Sequence, residues 1–245
     1  MTVRRAENTL EILEYFARRL SPATAAEIAE ELGWPRSSTF KLVGTMAAKG
    51  YLYEPRPRGG YYPSPRWLDL AERVTRSDPV PNELHAFVRT LVRETGETSL
   101  IAAMAGDQAI FLDVQESSQP VRYTTSIGSQ VPIYASSAGR ALMAQMSRDE
   151  RQRLYRRLTF ETFSPTTPDS AEAVEAELAA GKERGFHQSN AEYTPDLAGV
   201  SLPLPYRGQR LSAVVVGPVS RCLDRRSAIA AIIAKQIAML DHLQE

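Results

Sequence analysis

The 245-residue sequence predicts two domains of different class: an N-terminal winged helix-turn-helix, and a C-terminal α+β domain in which helices pack on a sheet. Three observations carry this. Residues 23–46 hold a short helix, a turn at Gly33 and a second helix; residues 50–63 run as aromatic strand, Pro/Gly turn, aromatic strand; from residue 81 the pattern turns to mixed helices and strands.

A first helix is expected over residues 5–20, with Leu10, Leu13, Phe16, Ala17 and Leu20 on one face and Ser21-Pro22 ending it. In the next helix Ile28, Ala29 and Leu32 lie opposite Glu27, Glu30 and Glu31. Gly33 stands where a helix end needs positive φ, and Pro35 suits the first turn of the following helix, where its missing N–H costs nothing. There Thr39, Leu42, Val43 and Met46 recur at i, i+3, i+4 and i+7, leaving Ser37, Phe40, Lys41 and Gly44 facing outward. This layout presents side chains to a DNA major groove.

The outward face suits DNA chemically. Arg36 and Lys41 can pair with phosphates or guanine O6/N7, Ser37 and Ser38 can bond phosphates or base edges, and Phe40 can touch a thymine methyl. The competing reading for Phe40 is packing on the wing or the preceding helix. The wing tip carries Arg56 and Arg58, either solvated or inserted into an electronegative minor groove. An amphipathic helix over 65–74 and the Pro-broken Ser77-Asp-Pro-Val-Pro81 follow. The expected division is a DNA-binding domain at 1–64, a linker helix at 65–80 and a second domain at 81–245, with the boundary near residue 77.

In the second domain a helix with Leu84, Phe87, Val88, Leu91 and Val92 precedes a hairpin, strands 98–105 and 109–114 around Gly106-Asp107. Residues 123–127 are a third strand candidate. Helices are expected near 136–146, 148–157 and 170–184, then strands at 185–189, 199–205 and 211–217. A final helix over 224–243 has Asp224 as a plausible N-cap and Ile229, Ile232, Ile233, Ile237 and Leu240 on a wide apolar face.

Composition is that of an ordinary soluble globular protein, 43% hydrophobic and 24% charged. Net charge is zero, but residues 1–76 hold twelve Lys/Arg against nine Asp/Glu and the remainder seventeen against twenty. DNA binding would therefore rest on placed contacts and dimerisation rather than a broad basic field. No apolar run approaches a membrane span, and the opening residues run into an amphipathic helix without a signal-peptide core, so a cytoplasmic protein is expected. The single cysteine, Cys222, excludes an internal disulfide, and His85, His187 and His242 are scattered, so neither metal nor other cofactor is expected.

Several motifs resemble the IclR family of bacterial transcriptional regulators. They are Gly33-Trp-Pro-Arg-Ser-Ser-Thr-Phe-Lys-Leu42, Tyr61-Tyr-Pro-Ser-Pro-Arg-Trp-Leu-Asp-Leu-Ala71, Pro132-Ile-Tyr-Ala-Ser-Ser-Ala-Gly-Arg-Ala-Leu-Met-Ala144, Arg184-Gly-Phe-His-Gln-Ser-Asn-Ala-Glu192 and Val214-Val-Val-Gly-Pro-Val-Ser-Arg221. The likeness spans nearly the whole chain in the family's order. It implies a winged-helix DNA-binding domain, a linker helix and an effector-binding domain related to GAF and PAS sensors. It also implies homodimers, often paired into homotetramers, on palindromic or repeated operators, repressing or activating in response to small metabolites, often carboxylates or aromatic compounds.

The free N–H groups where Ala135-Ser-Ser-Ala-Gly-Arg-Ala141 opens a helix form an anion site to which Ser136 and Ser137 can add hydroxyl donors, beside Ala138 and Gly139. The bland reading is an N-cap with tight small-residue packing. The resemblance points to Glu192 near the effector, against a solvated loop Glu, and to Ser201 or Leu202 at a position often held by cysteine. Val214 and Val216 stand where some acid-sensing members carry hydroxyls. This departure favours a larger, partly hydrophobic or aromatic effector, with Met104, Phe111, Tyr123 and Tyr134 as wall candidates, each equally suited to the core.

An enzyme is not expected: there is no GxSxG elbow, phosphate loop, GxGxxG after a strand, or His paired with a carboxylate at helical spacing in the second half. The other competing reading is a winged-helix regulator controlled by protein partners with no small-molecule effector.

Overall fold

The computed structural model describes residues 3–75 and 80–241, and the chain divides into two compact units, Met1–Pro79 and Val80–Glu245. The expected boundary at residue 77, the end of the last helix at 243 and His242 lie outside the described residues.

The first unit contains α1 (Arg4–Arg19), α2 (Ala25–Glu31), α3 (Arg36–Ala48), β1 (Leu52–Tyr53), β2 (Tyr62–Pro63) and α4 (Arg66–Thr75). Its core gathers Ile12 and Phe16 of α1, Ile28 of α2, Val43 and Met46 of α3 and Leu52 of β1. The expected face of α1 is corrected: Leu10, Ala17 and Leu20 are exposed, and Ile12, Tyr15 and Phe16 are buried with Leu13 partly so. The i, i+3, i+4 stripe that meets the core starts at Ile12, and Leu20 leaves the helix axis in a left-handed C-cap.

Helix α2 is opened by a reciprocal capping box, Thr24 Oγ1 accepting from Glu27 N and the Glu27 carboxylate accepting from Thr24 N. Arg19 reaches that same Glu27 at 3.0 Å and also Glu31, tying α1 to α2. Gly33 has the expected positive φ of 67°. Pro35 sits one place earlier than expected, as the extended N-cap of α3. The wing is anchored at its base: Ala23 and Tyr61 exchange both backbone hydrogen bonds, at 3.0 and 2.7 Å. Gly60 permits this approach with φ 83°, since a Cβ there would stand 2.5 Å from the Ala23 carbonyl carbon. Trp67 at the start of α4 packs its ring at a tilt of 43° against Tyr51 and donates its indole N–H to Tyr51 O at 2.9 Å.

The second unit is a six-stranded antiparallel sheet in the order β5-β4-β3-β8-β7-β6. Its strands are β3 (Thr98–Ala105), β4 (Gln108–Gln115), β5 (Gln130–Pro132), β6 (His187–Asn190), β7 (Leu197–Tyr206) and β8 (Gln209–Pro218). Helices α5 (Asn82–Thr95) and α10 (Arg226–Asp241) cover one face, with Leu84, Phe87, Val88, Ile229 and Ile233 against Ile101, Val200 and Val215. Helix α6 (Ser137–Met143) lies on the other, with Ala138 and Leu142 against Leu100, Phe111 and Val214. Helices α7 (Arg148–Tyr155), α8 (Ala171–Arg184) and the short α9 (Val219–Cys222) complete the unit.

Two expectations here are corrected. Residues 123–127 lie outside the sheet, with Ile127 already in a turn; Tyr123 gives its carbonyl to Thr98 Oγ1 at 2.7 Å, and the strand that pairs with β4 is β5, further along. The last helix begins at Arg226, so Asp224 lies in the preceding turn and does not cap it. A bulge in β4 at Leu112 reverses the alternation there, so Phe111 faces α6 while Asp113 meets His85 of α5, Nδ1 to Oδ2 at 2.8 Å.

Candidate functional site

Helix α3 buries Thr39, Val43 and Met46 and exposes Arg36, Ser37, Ser38, Phe40 and Lys41 together on one surface. Phe40 is 54% exposed, so the alternative of packing on the wing or α2 is not what the chain adopts. The Ser38 hydroxyl donates to Pro35 O at 2.9 Å, closing the first turn and leaving oxygen lone pairs outward. Arg56 and Arg58 both stand in solvent at the wing tip, in a turn closed by Gly59 N to Arg56 O at 2.9 Å.

In the second unit a cavity of about 60 Å³ lies between the first turn of α6, the sheet and the loop after β6. Ser136, Ser137, Ala138, Glu192, Val214 and Val216 line it, so six of the expected effector residues are brought together. Gly139 and Ser201 stand behind the wall. Gly139 lets α6 pack on the Ile133 carbonyl, and its N–H is taken by Ser136 Oγ at 3.1 Å; the fully buried Ser201 donates to Ser137 Oγ at 2.8 Å. Leu202, the alternative to Ser201, packs in the core on the opposite face. Phe111 and Tyr123 are on the wall, whereas Met104 is exposed and Tyr134 packs against Phe160 and Phe163.

The polar groups are unequally free. Ser136 Oγ caps α6 and also donates to Pro132 O at 2.8 Å, so it belongs to the helix start. The first bond inside the helix closes at Arg140 N, which leaves the N–H groups of Ser137 and Ala138 ahead of it. Ser137 and Ser189 hydroxyls converge over Gly199, which has no side chain to separate them. The remaining wall is mainly apolar, with Leu100, Val131 and Leu197 added to Val214 and Val216.

Behind Glu192 lies a residue that sequence reading missed. Arg140, with no exposed surface, donates from Nη1 to Glu192 Oε2 at 2.6 Å and to Tyr134 O at 3.0 Å, and from Nη2 to Gln188 O. Burial holds the Glu192 carboxyl above the usual carboxylate range, and Arg140 opposes only part of that rise. The two groups form a buried ion pair, each the nearest countercharge of the other. The available signal was one basic residue inside an Ala/Gly/Ser helix start.

Comparison with known proteins places this geometry. The model of the IclR C-terminal domain of bacterial transcriptional regulators matches residues 72–240, and that of the IclR helix-turn-helix domain matches residues 6–56. The chain belongs to the IclR family. The transcriptional repressor IclR of Escherichia coli K12 is 25% identical over 221 residues, 89% of this chain and 81% of its own length. An IclR family regulator from Brucella abortus has the same fold, with a TM-score of 0.78 at 21% identity over 99% of this chain and 93% of its own. An IclR homologue from Microbacterium hydrocarbonoxydans, solved with 4-hydroxybenzoate, superposes with a TM-score of 0.69 at 19% identity over 95% and 97%. This IclR member is thus a transcriptional regulator with a winged helix-turn-helix and a GAF-like domain. Among the described residues no helix is long and apolar enough to cross a membrane.

Proposed function

We propose that this regulator holds a compact organic acid or aromatic compound in the α6 cavity, and that occupancy changes its affinity for an operator. The operator is contacted by Arg36, Ser37, Ser38, Phe40 and Lys41 of α3 and by Arg56 and Arg58 of the wing. The protein works in the cytoplasm as a homodimer or homotetramer, to which the apolar Leu68, Leu70 and Val74 exposed on α4 contribute. We read no catalytic role.

The observation that carries the effector reading is one cavity walled by apolar side chains yet edged by the hydroxyls of Ser137 and Ser189, the first N–H groups of α6 and the Glu192 carboxylate. That mixture fits an acid with an apolar body, and the small volume favours a compact one over the larger effector expected from Val214 and Val216. The 4-hydroxybenzoate bound to the Microbacterium homologue is a ligand of that kind. Thermal unfolding with pyruvate, propionate, benzoate and 4-hydroxybenzoate tests it, because a ligand at a hundred times its Kd adds about 2.7 kcal/mol. Stabilisation by at least one acid is expected. No shift with any of them, while operator binding persists, would instead favour control by protein partners.

A further inference from the structure

Among the described residues that line the cavity, Glu192 is the one carboxyl, and none is Lys, Arg or His. Its countercharge, Arg140, is not on that wall and approaches from behind, filling Oε2 at 2.6 Å. The other oxygen, Oε1, has among the described residues one long contact, 3.4 Å from the Asn190 N–H. A carboxylate offers about four acceptor sites, so acceptor capacity remains. The loop that carries it is pinned, Thr167 Oγ1 donating to Glu192 O at 2.5 Å and Thr166 Oγ1 to Asn190 O at 2.9 Å. The acceptor is therefore fixed, desolvated and charged before a ligand arrives.

Such an acceptor discriminates. An O–H or N–H on the ligand gains a charge-assisted hydrogen bond, a ligand lacking it leaves the carboxylate desolvated and underbonded, and a second carboxylate meets like charge. Resting on the reading that this cavity is the effector site, we infer that Glu192 selects compact acids bearing a hydroxyl or amine donor over their unsubstituted parents and over diacids, with Arg140 as the positioning residue.

The test compares matched pairs by calorimetry on the full-length protein: lactate with propionate, 3-hydroxybutyrate with butyrate, 4-hydroxybenzoate with benzoate, and succinate as the diacid. In at least one pair the hydroxylated acid binds about tenfold tighter or more. Glu192→Gln removes the charge and shrinks that ratio, and Arg140→Lys, which keeps a cation behind Glu192, preserves it. Should the single variants unfold, the paired change Arg140→Met with Glu192→Leu removes both charges together, and it abolishes the ratio while the parent acid still binds. Equal or weaker binding of every hydroxylated acid, or a ratio unchanged in Glu192→Gln or in the paired variant, overturns the inference and leaves the effector reading standing. No binding by any of the seven acids sinks the effector reading itself, and the inference falls with it.

Discussion

Arg140 on α6 and Glu192 in the loop after β6, 52 residues apart in sequence, form an ion pair whose 2.6 Å bond is shielded from solvent. It joins the helix that bounds the cavity to the loop that closes its other side. Removing only the cation strands a buried carboxylate, and breaking such a pair costs about 3–5 kcal/mol. Arg140→Met should therefore lower the urea midpoint of the second unit strongly, and the paired Arg140→Met/Glu192→Leu change should recover much of the loss. Equal stability of Arg140→Met and the native protein would show that the pair does not hold this loop.

His187 adds a pH dependence of defined sign. It is buried, with Nδ1 over Gly181 and without a hydrogen-bond partner among the described residues, and burial first, then Arg140 and Arg184, hold its pKa at about 4, below the usual 6.5. Between those values the unfolded chain binds the proton and the native one does not, so stability is fully present above pH 6.5 and falls as pH drops towards 4. The loss amounts to at most about 3 kcal/mol. Denaturation curves at pH 7 and pH 4.5 should differ less in His187→Gln than in the native protein. An identical pH dependence would contradict the assignment.

On the DNA side, Lys41→Ala and Arg36→Ala should each weaken operator binding without changing the unfolding transition. Arg56→Ala should lower the slope of log K against log salt by about 0.9 if the wing neutralises one phosphate. Phe40→Ala should leave that slope unchanged while relaxing sequence preference, because an apolar contact reads a thymine methyl and releases no counterion. Anisotropy titrations over a salt series separate these outcomes.

Gly60 tests the wing anchor. A methyl there would stand 2.5 Å from the Ala23 carbonyl carbon, on a backbone with φ 83°. Gly60→Ala should cost more than about 1 kcal/mol in the first unit and weaken DNA binding, with ligand stabilisation of the second unit intact. Unaltered DNA affinity would mean that the anchored wing is not needed for binding.

Local chemistry was the legible part of the sequence. The turn Gly106-Asp107 between apolar runs located the β3–β4 hairpin, and Gly33 and the Thr39/Val43/Met46 stripe located the helix-turn-helix. Long-range pairings were not legible. Thr98 captures the Tyr123 carbonyl from 25 residues away, and Ser201 reaches Ser137 across 64 residues. The core face of α1 is not legible, because Leu10 and Leu20 are apolar but exposed, away from the core that Ile12 and Phe16 enter. Arg140 is not legible as a site residue, because charge inside a helix start reads as surface and its partner Glu192 lies 52 residues away.

The most direct measurement is operator affinity with and without a bound acid, in the native protein and in Gly199→Val. A side chain at Gly199 intrudes on Ser137 and Ser189 at the cavity wall, far in sequence from the residues proposed to contact DNA. The native protein should show an affinity that shifts at least several-fold with saturating acid, and Gly199→Val should bind the operator normally but ignore the acid. An unchanged ligand response in Gly199→Val, or a native protein whose operator affinity no bound acid alters, would contradict the account of a regulator gated through the α6 cavity.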